Sequence, residues 1–377
     1  MRIMIVAGGF LPAKNYGGPV VSIENIVSLV NDFDFWIVTR DHDWKNKEKL
    51  TGIERGWNTF LDNTKVIYLS DKEHNKANYV RIINEIEPDI IYINGFYLAQ
   101  MFVPMIKAAK NKNVCLLLAP RGTLNKNALA INSFKKHVYI SYMSFLLRKC
   151  NCFFHSTSGE ETYQIQKLLN VKKEKVFEVA NIPSFPKIKS VPHIKETNKL
   201  VCCFFARICE KKNLYGALEI LKDTISNIQF KIYGNKEDSD YWEKCCRIID
   251  TLPPNIKVEY MGGYSHENVF QLMSQNDLML FPTLSENYGH VIAEALFSGL
   301  PVIISDQTPW NGINDAGCGR AIPLSEKDTF IEYLEMYSRM NNDEFSKIRT
   351  KAIEYVTEVS DLNGIKRMYK KMFQLEC

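Results

Sequence analysis

The feature of this sequence that most limits its fold is an alternation of short apolar runs with longer amphipathic stretches. Five apolar runs, each ending near a polar or turn-forming residue, precede Arg121: "IMIVAGG", "FDFWIVT", "KVIYLS", "DIIYING" and "VCLLLAP". Helical periodicity marks the segments between several of them, such as "VVSIENIVSLVND" and "NYVRIINEIEP". Strands that alternate with helices in this way predict an α/β doubly wound domain with a parallel sheet.

The same alternation returns in the second half of the chain, where the strand-like runs are "KLVCCFFARI", "IQFKIYG", "IKVEYMG", "DLMLFPT" and "PVIISD". The chain has 377 residues, and a single core rarely grows beyond ~250–300 residues. We therefore expect two Rossmann-like domains that face each other across a cleft. A proline-rich segment with Pro183, Pro186 and Pro192 marks the boundary between residues 1–183 and 184–359. A last helix, from about 360 to 377, could pack back on the first domain.

Composition excludes several classes of protein. Hydrophobic residues make up 46% of the chain and charged residues 24%, and a formal net charge of +4 is too small to indicate nucleic-acid binding. No apolar stretch approaches the ~20 residues that cross a bilayer, and the run from Ile3 to Ala7 is too short for a signal peptide. The ten cysteines lack zinc-ligand spacing, which predicts reduced, structural thiols in a cytoplasmic protein.

The stretch "LSENYGHVIAEALFSGLPVI" joins a predicted strand to a predicted helix, and ligands of doubly wound sheets bind at such strand ends. Backbone N–H groups near Tyr288, Gly289 and His290 would attract an anion such as phosphate. The carboxylates of Glu286 and Glu294 would repel a phosphate and are better suited to accept hydrogen bonds from sugar hydroxyls. The alternative is that Glu286 caps the helix and Glu294 is an ordinary helix charge.

A second predicted strand end carries two cations. In "FFARICEKKNL", Arg207 follows the strand and Lys212 comes five residues later, before a helix. Two cations at that spacing suit a diphosphate. The alternative is a solvated basic loop, which is the expected role of Lys211.

Loops of the first domain supply further candidates. Gly17 and Gly18 lie between the first strand and the first helix but do not form a GxGxxG motif, so a dinucleotide cofactor is disfavoured. Arg121 and His155 each end a predicted strand, and Asn94 lies in "YINGFY". An ordinary turn at the glycines and a structural histidine are the alternatives.

Taken together, the glycine pair, "APRGTL", "HSTSGEE", "ARICEKKNL" and "SENYGHVIAEALFSGLPVI" resemble the retaining glycosyltransferases of family 4, which have the GT-B fold. The resemblance covers nearly the whole chain and points to a branch that makes bacterial surface polysaccharides. It implies that Glu294 holds the nucleotide ribose, and that Glu286 with the backbone of residues 287–289 holds the donor sugar. Arg207 and Lys212 would hold the diphosphate.

The full set of predicted site residues combines these roles with the positions of the other strand-end loops. The predicted donor contacts are Glu294, Asn287, Tyr288, Gly289, His290, Gly17 and Gly18, and the predicted catalytic set is Glu286, Arg207, Lys212 and His155. Many relatives carry a histidine in the loop where this chain has Asn94, and others carry one near the place of Arg121. Both residues are therefore candidates on the acceptor side, and the family's histidine role has no certain counterpart here.

The activity implied is transfer of a hexose-type sugar from a nucleotide diphosphate donor, with retention at the anomeric carbon and without a metal or other cofactor. A UDP-sugar is favoured as donor, with a GDP-sugar as the alternative. The acceptor would be a lipid-linked or free oligosaccharide in O-antigen, capsule or exopolysaccharide synthesis. The location would be cytoplasmic, with a peripheral position on the inner face of the cytoplasmic membrane as a further option.

Residues 132–149, "NSFKKHVYISYMSFLLRK", combine four cations with several aromatic residues. The cations are Lys135, Lys136, Arg148 and Lys149, and the apolar residues include Phe134, Tyr139, Tyr142, Phe145 and Leu146. Such a helix could lie on an anionic bilayer. The alternative is a core helix with solvated ends, because the same apolar positions would also pack on a sheet.

Three rival functions remain open from the sequence. The first is a nucleotide-sugar epimerase with a GT-B-like fold, and release of free nucleotide only when an acceptor is supplied would argue against it. A non-catalytic module that binds nucleotide sugars would not need both carboxylates and both cations together. A metal-dependent transferase of the other glycosyltransferase fold would require a carboxylate pair, for which "DHD" at 41–43 and "DSD" at 238–240 are the candidates.

Overall fold

The computed structural model describes residues 1–13, 16–44, 46, 48–125, 133–186, 194–264 and 268–375. Pro192 of the proline-rich segment, and Asn132 at the start of the basic aromatic stretch, lie outside these residues. The chain divides into two compact units. Unit 1 comprises Met1–Ile182 and Leu362–Cys377, and unit 2 comprises Pro183–Asp361.

Unit 1 is built on an eight-stranded sheet with helices between the strands. Its strands are β1 (Arg2–Ala7), β2 (Asp34–Arg40), β3 (Trp57–Leu61), β4 (Thr64–Leu69), β5 (Ile90–Asn94), β6 (Cys115–Ala119), β7 (Cys152–Ser156) and β8 (Val176–Glu178). They lie in the order β3-β4-β2-β1-β5-β6-β7-β8. All neighbours are parallel except β3 and β4. The helices that the structure describes before β8 are α1 (Gly18–Leu29), α2 (Lys76–Ile86), α3 (Ala99–Lys112), α4 (Ser133–Leu147) and α5 (Gly159–Leu169), followed by a 3₁₀ turn at Lys173–Lys175.

Unit 2 has a six-stranded sheet in which every neighbouring pair is parallel. Its strands are β9 (Lys199–Phe205), β10 (Asn227–Tyr233), β11 (Ile256–Gly262), β12 (Leu278–Phe281), β13 (Val302–Ser305) and β14 (Gly319–Ile322), in the order β11-β10-β9-β12-β13-β14. Its helices are α6 (Leu214–Lys222), α7 (Ser239–Ile249), α8 (Val269–Ser274), α9 (His290–Phe297), α10 (Ile313–Ala316), α11 (Lys327–Arg339) and α12 (Asn342–Ser360), with a 3₁₀ turn at Glu210–Lys212. Because the strands are parallel, their carboxyl ends all lie at one edge of the sheet.

The central strands form because their residues can be buried on both faces of a sheet. Every residue of β5, β6, β12 and β13 is buried, as expected for parallel strands covered by helices on both sides. Polar residues begin several of the helices. Asn75 caps α2 and Ser158 caps α5, and Asn341 with Glu344 forms a capping box at α12.

The last helix, α13 (Leu362–Phe373), belongs to unit 1 although it follows unit 2 in the chain. Its buried residues are Ile365, Tyr369, Met372 and Phe373. The ring of Phe373 lies edge-on to Phe33 and Phe35, with centroids 5.7 and 6.0 Å away. The helix therefore completes one hydrophobic core of unit 1.

Two expectations from composition can be compared with the fold. Eight of the cysteines that the structure describes are free thiols, which agrees with the expectation of reduced cysteines at those positions. Across the described ranges, no helix combines the length and the hydropathy that a membrane crossing requires.

Candidate active site

The predicted site residues of unit 2 follow neighbouring strands of its sheet. Arg207 lies two residues beyond β9, and Lys212 ends the 3₁₀ turn that leads into α6. Thr283 and Glu286 follow β12, which is parallel to β9 and next to it in the sheet. The loops are tied together by the Leu284 N–H, which donates to the carbonyl of residue 211 at 3.0 Å.

Lys212 and Glu286 form an ion pair that joins these two loops. Lys212 Nζ donates to Glu286 Oε1 at 2.5 Å, and the side chains are only 15% and 9% exposed. The hydroxyl of Thr283 donates to the same oxygen at 3.2 Å. A charge pair with little solvent around it is screened weakly, so the cation and the carboxylate predicted from the sequence hold each other in place.

Arg207 forms a second ion pair, with a residue that the sequence did not indicate. Its Nη1 donates to Glu237 Oε2 at 2.5 Å, with side-chain exposures of 38% and 21%. Glu237 follows β10, the strand on the other side of β9. Gly234 lets the backbone after β10 lie close to the backbone after β9. It has a φ of +149°, and a Cβ there would lie 1.8 Å from the carbonyl oxygen of Ala206.

The N-terminus of α9 is shaped by Gly289 and Trp310. Gly289 adopts a left-handed φ of +79°, and within the described residues no side chain hydrogen bond caps the helix. Trp310 Nε1 donates to the carbonyl of Tyr288 at 2.5 Å, and the two rings lie 5.5 Å apart. The ring of His290 lies edge-on to Tyr288 at 4.8 Å. The backbone from Asn287 to His290 is thus fixed by aromatic packing, and the helix end favours negative charge.

Glu294 lies in the second turn of α9 and is buried, with 4% of its surface exposed. It is close to Tyr264, which follows β11: burial raises the pKa of the Tyr264 hydroxyl, and the Glu294 charge raises it further. Arg207 acts on the same hydroxyl in the opposite direction. The charges of Arg207 after β9 and of Glu294 on α9 therefore both act on a residue that follows β11, and the burial of Glu294 argues against the alternative of a half-exposed helix charge.

Sequence reasoning missed Thr283, Glu237 and Tyr264 in this group. Each lies two to four residues beyond a strand of the unit 2 sheet. Their position at the carboxyl edge was the available signal, since all loops at that edge of a parallel sheet can reach a common site.

In unit 1, His155 is fully buried and both of its ring nitrogens are bonded. Nδ1 accepts a hydrogen bond from the Tyr92 hydroxyl at 2.8 Å, and Nε2 donates to the carbonyl of Val179 at 2.9 Å. Burial, together with the positive charge of Arg121, lowers the pKa of His155 to about 3. A neutral imidazole with two internal partners joins β7 to its neighbours, which favours the structural alternative for His155 over the catalytic role.

Arg121 lies at the centre of the same network. It donates to Asn94 Oδ1 from Nε at 2.6 Å and to the Tyr92 hydroxyl from Nη2 at 2.6 Å, and Nη1 donates to Asn181. Asn94 in turn donates to the carbonyl of Pro19 at 3.2 Å. The structure therefore brings Arg121 and Asn94 together, with the first turn of α1 beside them.

The glycine pair begins that turn. Gly17 has a φ of +66° and precedes α1, and Gly18 is its first residue. Gly122 is held from the other side of the network, because its N–H donates to the buried carboxylate of Glu161 at 2.6 Å. Unit 1 thus presents a glycine turn, an arginine and an asparagine in one connected group.

The two acidic motifs considered for metal binding have structural contacts. Asp238 of "DSD" caps α7 by accepting from the Tyr241 N–H at 3.0 Å. His42 of "DHD" contacts Asp71 at 3.3 Å and the carbonyl of Asp43 at 3.1 Å. In the part of the chain that the structure describes, no three His, Cys, Asp or Glu side chains are grouped as a metal site.

The fold is that of a known class of enzymes. The chain is similar to Anabaena HepE, solved in complex with UDP and glucose, with a TM-score of 0.74, 15% identity and 99% of both chains covered. It is also similar to WaaG, a glycosyltransferase involved in lipopolysaccharide biosynthesis, with a TM-score of 0.71, 15% identity and coverage of 99% of this chain and 100% of WaaG. The predicted GT-B fold is confirmed.

Sequence comparison finds similarity to glycosyltransferases in the second unit. Residues 185–358 match the family of glycosyl transferases group 1. A 41.2 kDa protein of the cps region of Klebsiella pneumoniae is 20% identical over 339 residues, which cover 86% of this chain and 88% of that protein. The similarity to group 1 glycosyl transferases therefore lies within unit 2.

Proposed function

We propose that the chain is a retaining glycosyltransferase of family 4 that moves a hexose-type sugar from a nucleotide diphosphate to a saccharide acceptor. The observation that carries this proposal is the meeting of Arg207, Lys212, Glu286 and the N-terminus of α9 at one edge of the unit 2 sheet. HepE, which has a similar fold, was solved with UDP and glucose. A UDP-sugar is therefore the favoured donor, and a GDP-sugar the alternative.

The charges of this edge suit a donor that combines phosphate with sugars. Arg207, Lys212 and the N-terminus of α9 supply positive charge for the diphosphate. Glu294 is buried nearby and would accept hydrogen bonds from the ribose, and Glu286 would accept them from the donor sugar. In the ligand-free chain, the Lys212–Glu286 ion pair offsets the charge of the carboxylate, which would otherwise repel an approaching diphosphate.

The reaction breaks the bond between the anomeric carbon and the diphosphate oxygen, and the electron pair leaves with the diphosphate. Arg207 and Lys212 stabilise this developing charge more than the charge of the bound donor, which is how such groups lower a barrier. The acceptor hydroxyl attacks the same face of the sugar and gives its proton to the departing phosphate oxygen. Departure and attack on one face yield retention of configuration.

We propose further that the reaction needs no metal ion or other cofactor, because two fixed cations and a helix end can do the work that a divalent ion does elsewhere. The acceptor in this proposal is a lipid-linked saccharide of an O-antigen, capsule or exopolysaccharide. Support comes from WaaG, which takes part in lipopolysaccharide biosynthesis, and from the cps-region relative. The chain would then act in the cytoplasm, at the inner face of the membrane.

The test is a calorimetric titration of the full chain with UDP, GDP and their sugars, followed by NMR of the product formed with the donor that binds. We expect a nucleotide diphosphate to bind. We also expect the new bond at the anomeric carbon to have the same configuration, axial or equatorial, as the bond broken in the donor. No binding of either nucleotide, or inversion of the anomeric configuration, would contradict the proposal.

A matched pair of variants separates the site from general charge effects. Lys212→Ala should weaken UDP binding by at least tenfold, since a charged hydrogen bond contributes ~1.5–3 kcal/mol. Lys222→Ala removes the same charge from the other end of α6, where the side chain is exposed. It should leave UDP binding unchanged, and an equal loss in both variants would argue against the assigned site.

A further inference from the structure

Helix α4 presents a second apolar face, directed to solvent. Phe134, Val138, Tyr142 and Phe145 are 81%, 56%, 41% and 58% exposed. At 3.6 residues per turn these four positions fall within an arc of about 80° around the helix. The described residues leave this stripe of large apolar side chains open along three turns of one helix.

The opposite face of α4 already supplies the packing of the helix. Ile140, Met143 and Leu147 are buried in the core of unit 1. The Tyr139 hydroxyl donates to the carbonyl of Phe96 at 2.9 Å. Tyr139 and Leu146, which the sequence had placed among the candidate membrane residues, therefore belong to the inner face. The exposed stripe is not needed to hold the helix in place.

Positive charge borders the exposed stripe. Residues 133–149 contain four Lys or Arg residues and no Asp or Glu. Lys135, Arg148 and Lys149 are exposed, and Lys149 Nζ lies 3.9 Å from the ring centroid of Phe145. Lys136 is not counted with these three cations, because its Nζ lies 5.6 Å from the ring centroid of Tyr97 in the same unit.

We infer that the stripe of Phe134, Val138, Tyr142 and Phe145, with Lys135, Arg148 and Lys149 beside it, is a docking surface for an anionic lipid bilayer. Aromatic side chains enter the boundary between headgroups and acyl chains, and long cationic side chains reach anionic headgroups beside them. A second copy of the chain is a poorer occupant, since its α4 would bring the same positive charges against these.

The inference names the surface and the lipid chemistry by which the chain would reach the membrane location proposed above. It rests on the proposed function in one respect, since a lipid-linked acceptor is the reason for binding a membrane. Vesicle binding is measured without donor or acceptor. The docking surface and the transferase activity can therefore fail separately.

The experiment is co-sedimentation of the full chain with phosphatidylcholine vesicles, with and without phosphatidylglycerol. Strong binding is expected only with phosphatidylglycerol, and it should weaken as salt is added. Phe134→Ser and Phe145→Ser should each reduce the partition coefficient about tenfold or more, from the apolar area that no longer enters the bilayer. Lys135→Gln, Arg148→Gln and Lys149→Gln should each reduce it about fivefold.

Ile225→Ser serves as the matched control, because Ile225 is an apolar residue of unit 2 that is 80% exposed and is not part of α4. It should bind vesicles as the wild type does, and all variants should keep the wild-type melting temperature because each changed side chain is exposed. Wild-type vesicle binding by the Phe134 and Phe145 variants would overturn the inference. So would a concentration-dependent dimer of the wild type, seen in sedimentation velocity, that these two substitutions abolish.

Discussion

Glu237→Gln is expected to tighten the binding of UDP, although it removes a charged group from the proposed site. In the ligand-free chain, Glu237 Oε2 lies 2.5 Å from Arg207 Nη1. A diphosphate that binds Arg207 must displace this carboxylate, and the displaced charge then lies near the phosphate. Glutamine keeps the size and the hydrogen-bonding oxygen of the side chain but removes the charge that competes.

The size of the effect follows from the exposure of the pair. Both side chains are partly open to solvent, and pairs of this kind contribute ~0.2–1 kcal/mol. The dissociation constant for UDP should therefore fall by up to about fivefold. The gain should shrink at high salt, because solvent ions screen partly exposed charges.

Calorimetric titration with UDP at two salt concentrations measures the change in the dissociation constant. A double-mutant cycle then tests whether the change arises from the Arg207–Glu237 pair. In an Arg207→Ala background, Glu237→Gln should give no gain, since the pair is already broken. Glu243→Gln removes an exposed charge from α7 and is the matched control. Unchanged or weaker binding by Glu237→Gln would refute the reasoning, as would a gain that persists without Arg207.

Three further predictions follow from the two units. Glu294→Ala should weaken UDP and UDP-sugar binding alike, by ~1.5–3 kcal/mol, whereas Glu286→Ala should mainly weaken the sugar complex; equal wild-type affinities in calorimetry would contradict both roles. Transfer should continue in excess EDTA, and a loss of product that manganese restores would contradict metal independence. Burial holds the pKa of His155 at about 3, below its ordinary value of 6.5, so the unfolded chain takes up the proton first and stability falls as the pH drops below about 6.5. The free energy of unfolding should decrease by ~2 kcal/mol from pH 7 to pH 5, and urea titrations of His155→Gln should show a smaller decrease.

The central strands of both sheets could be predicted from the sequence, because parallel strands buried on both faces are continuous apolar runs. The segment "CLLLA" of β6 is buried at every position. The edge strands β3 and β8 could not be predicted in the same way. Their residues are mostly exposed or half-buried, so no apolar run marks them, and they form because a neighbouring strand offers hydrogen bonds.

The sequence predicts those parts of the candidate site whose residues lie close together in the chain. It does not predict contacts that form only because two strands are neighbours in the sheet. The loop and helix that contain Glu286 and Glu294 lie within one stretch of sequence. Glu237, by contrast, meets Arg207 only because β9 and β10 are adjacent, 30 residues apart in the chain. His155 shows a second limit, since the end of a strand does not reveal whether a side chain is directed toward solvent or toward Tyr92.

The pairing of charges explains how an edge with several carboxylates could receive a diphosphate. Each of the two cations has a carboxylate partner in the free chain, Lys212 with Glu286 and Arg207 with Glu237. The pairs differ in what a donor would do to them. A sugar hydroxyl can replace the ammonium as a hydrogen-bond donor to Glu286, so Lys212 can turn to the phosphate while Glu286 stays bonded. Glu237, by contrast, loses Arg207 to the diphosphate, and its charge then lies near the phosphate. In the proposed site, Glu286 therefore favours a donor that carries a sugar, and Glu237 favours release of the nucleotide diphosphate once the sugar has gone.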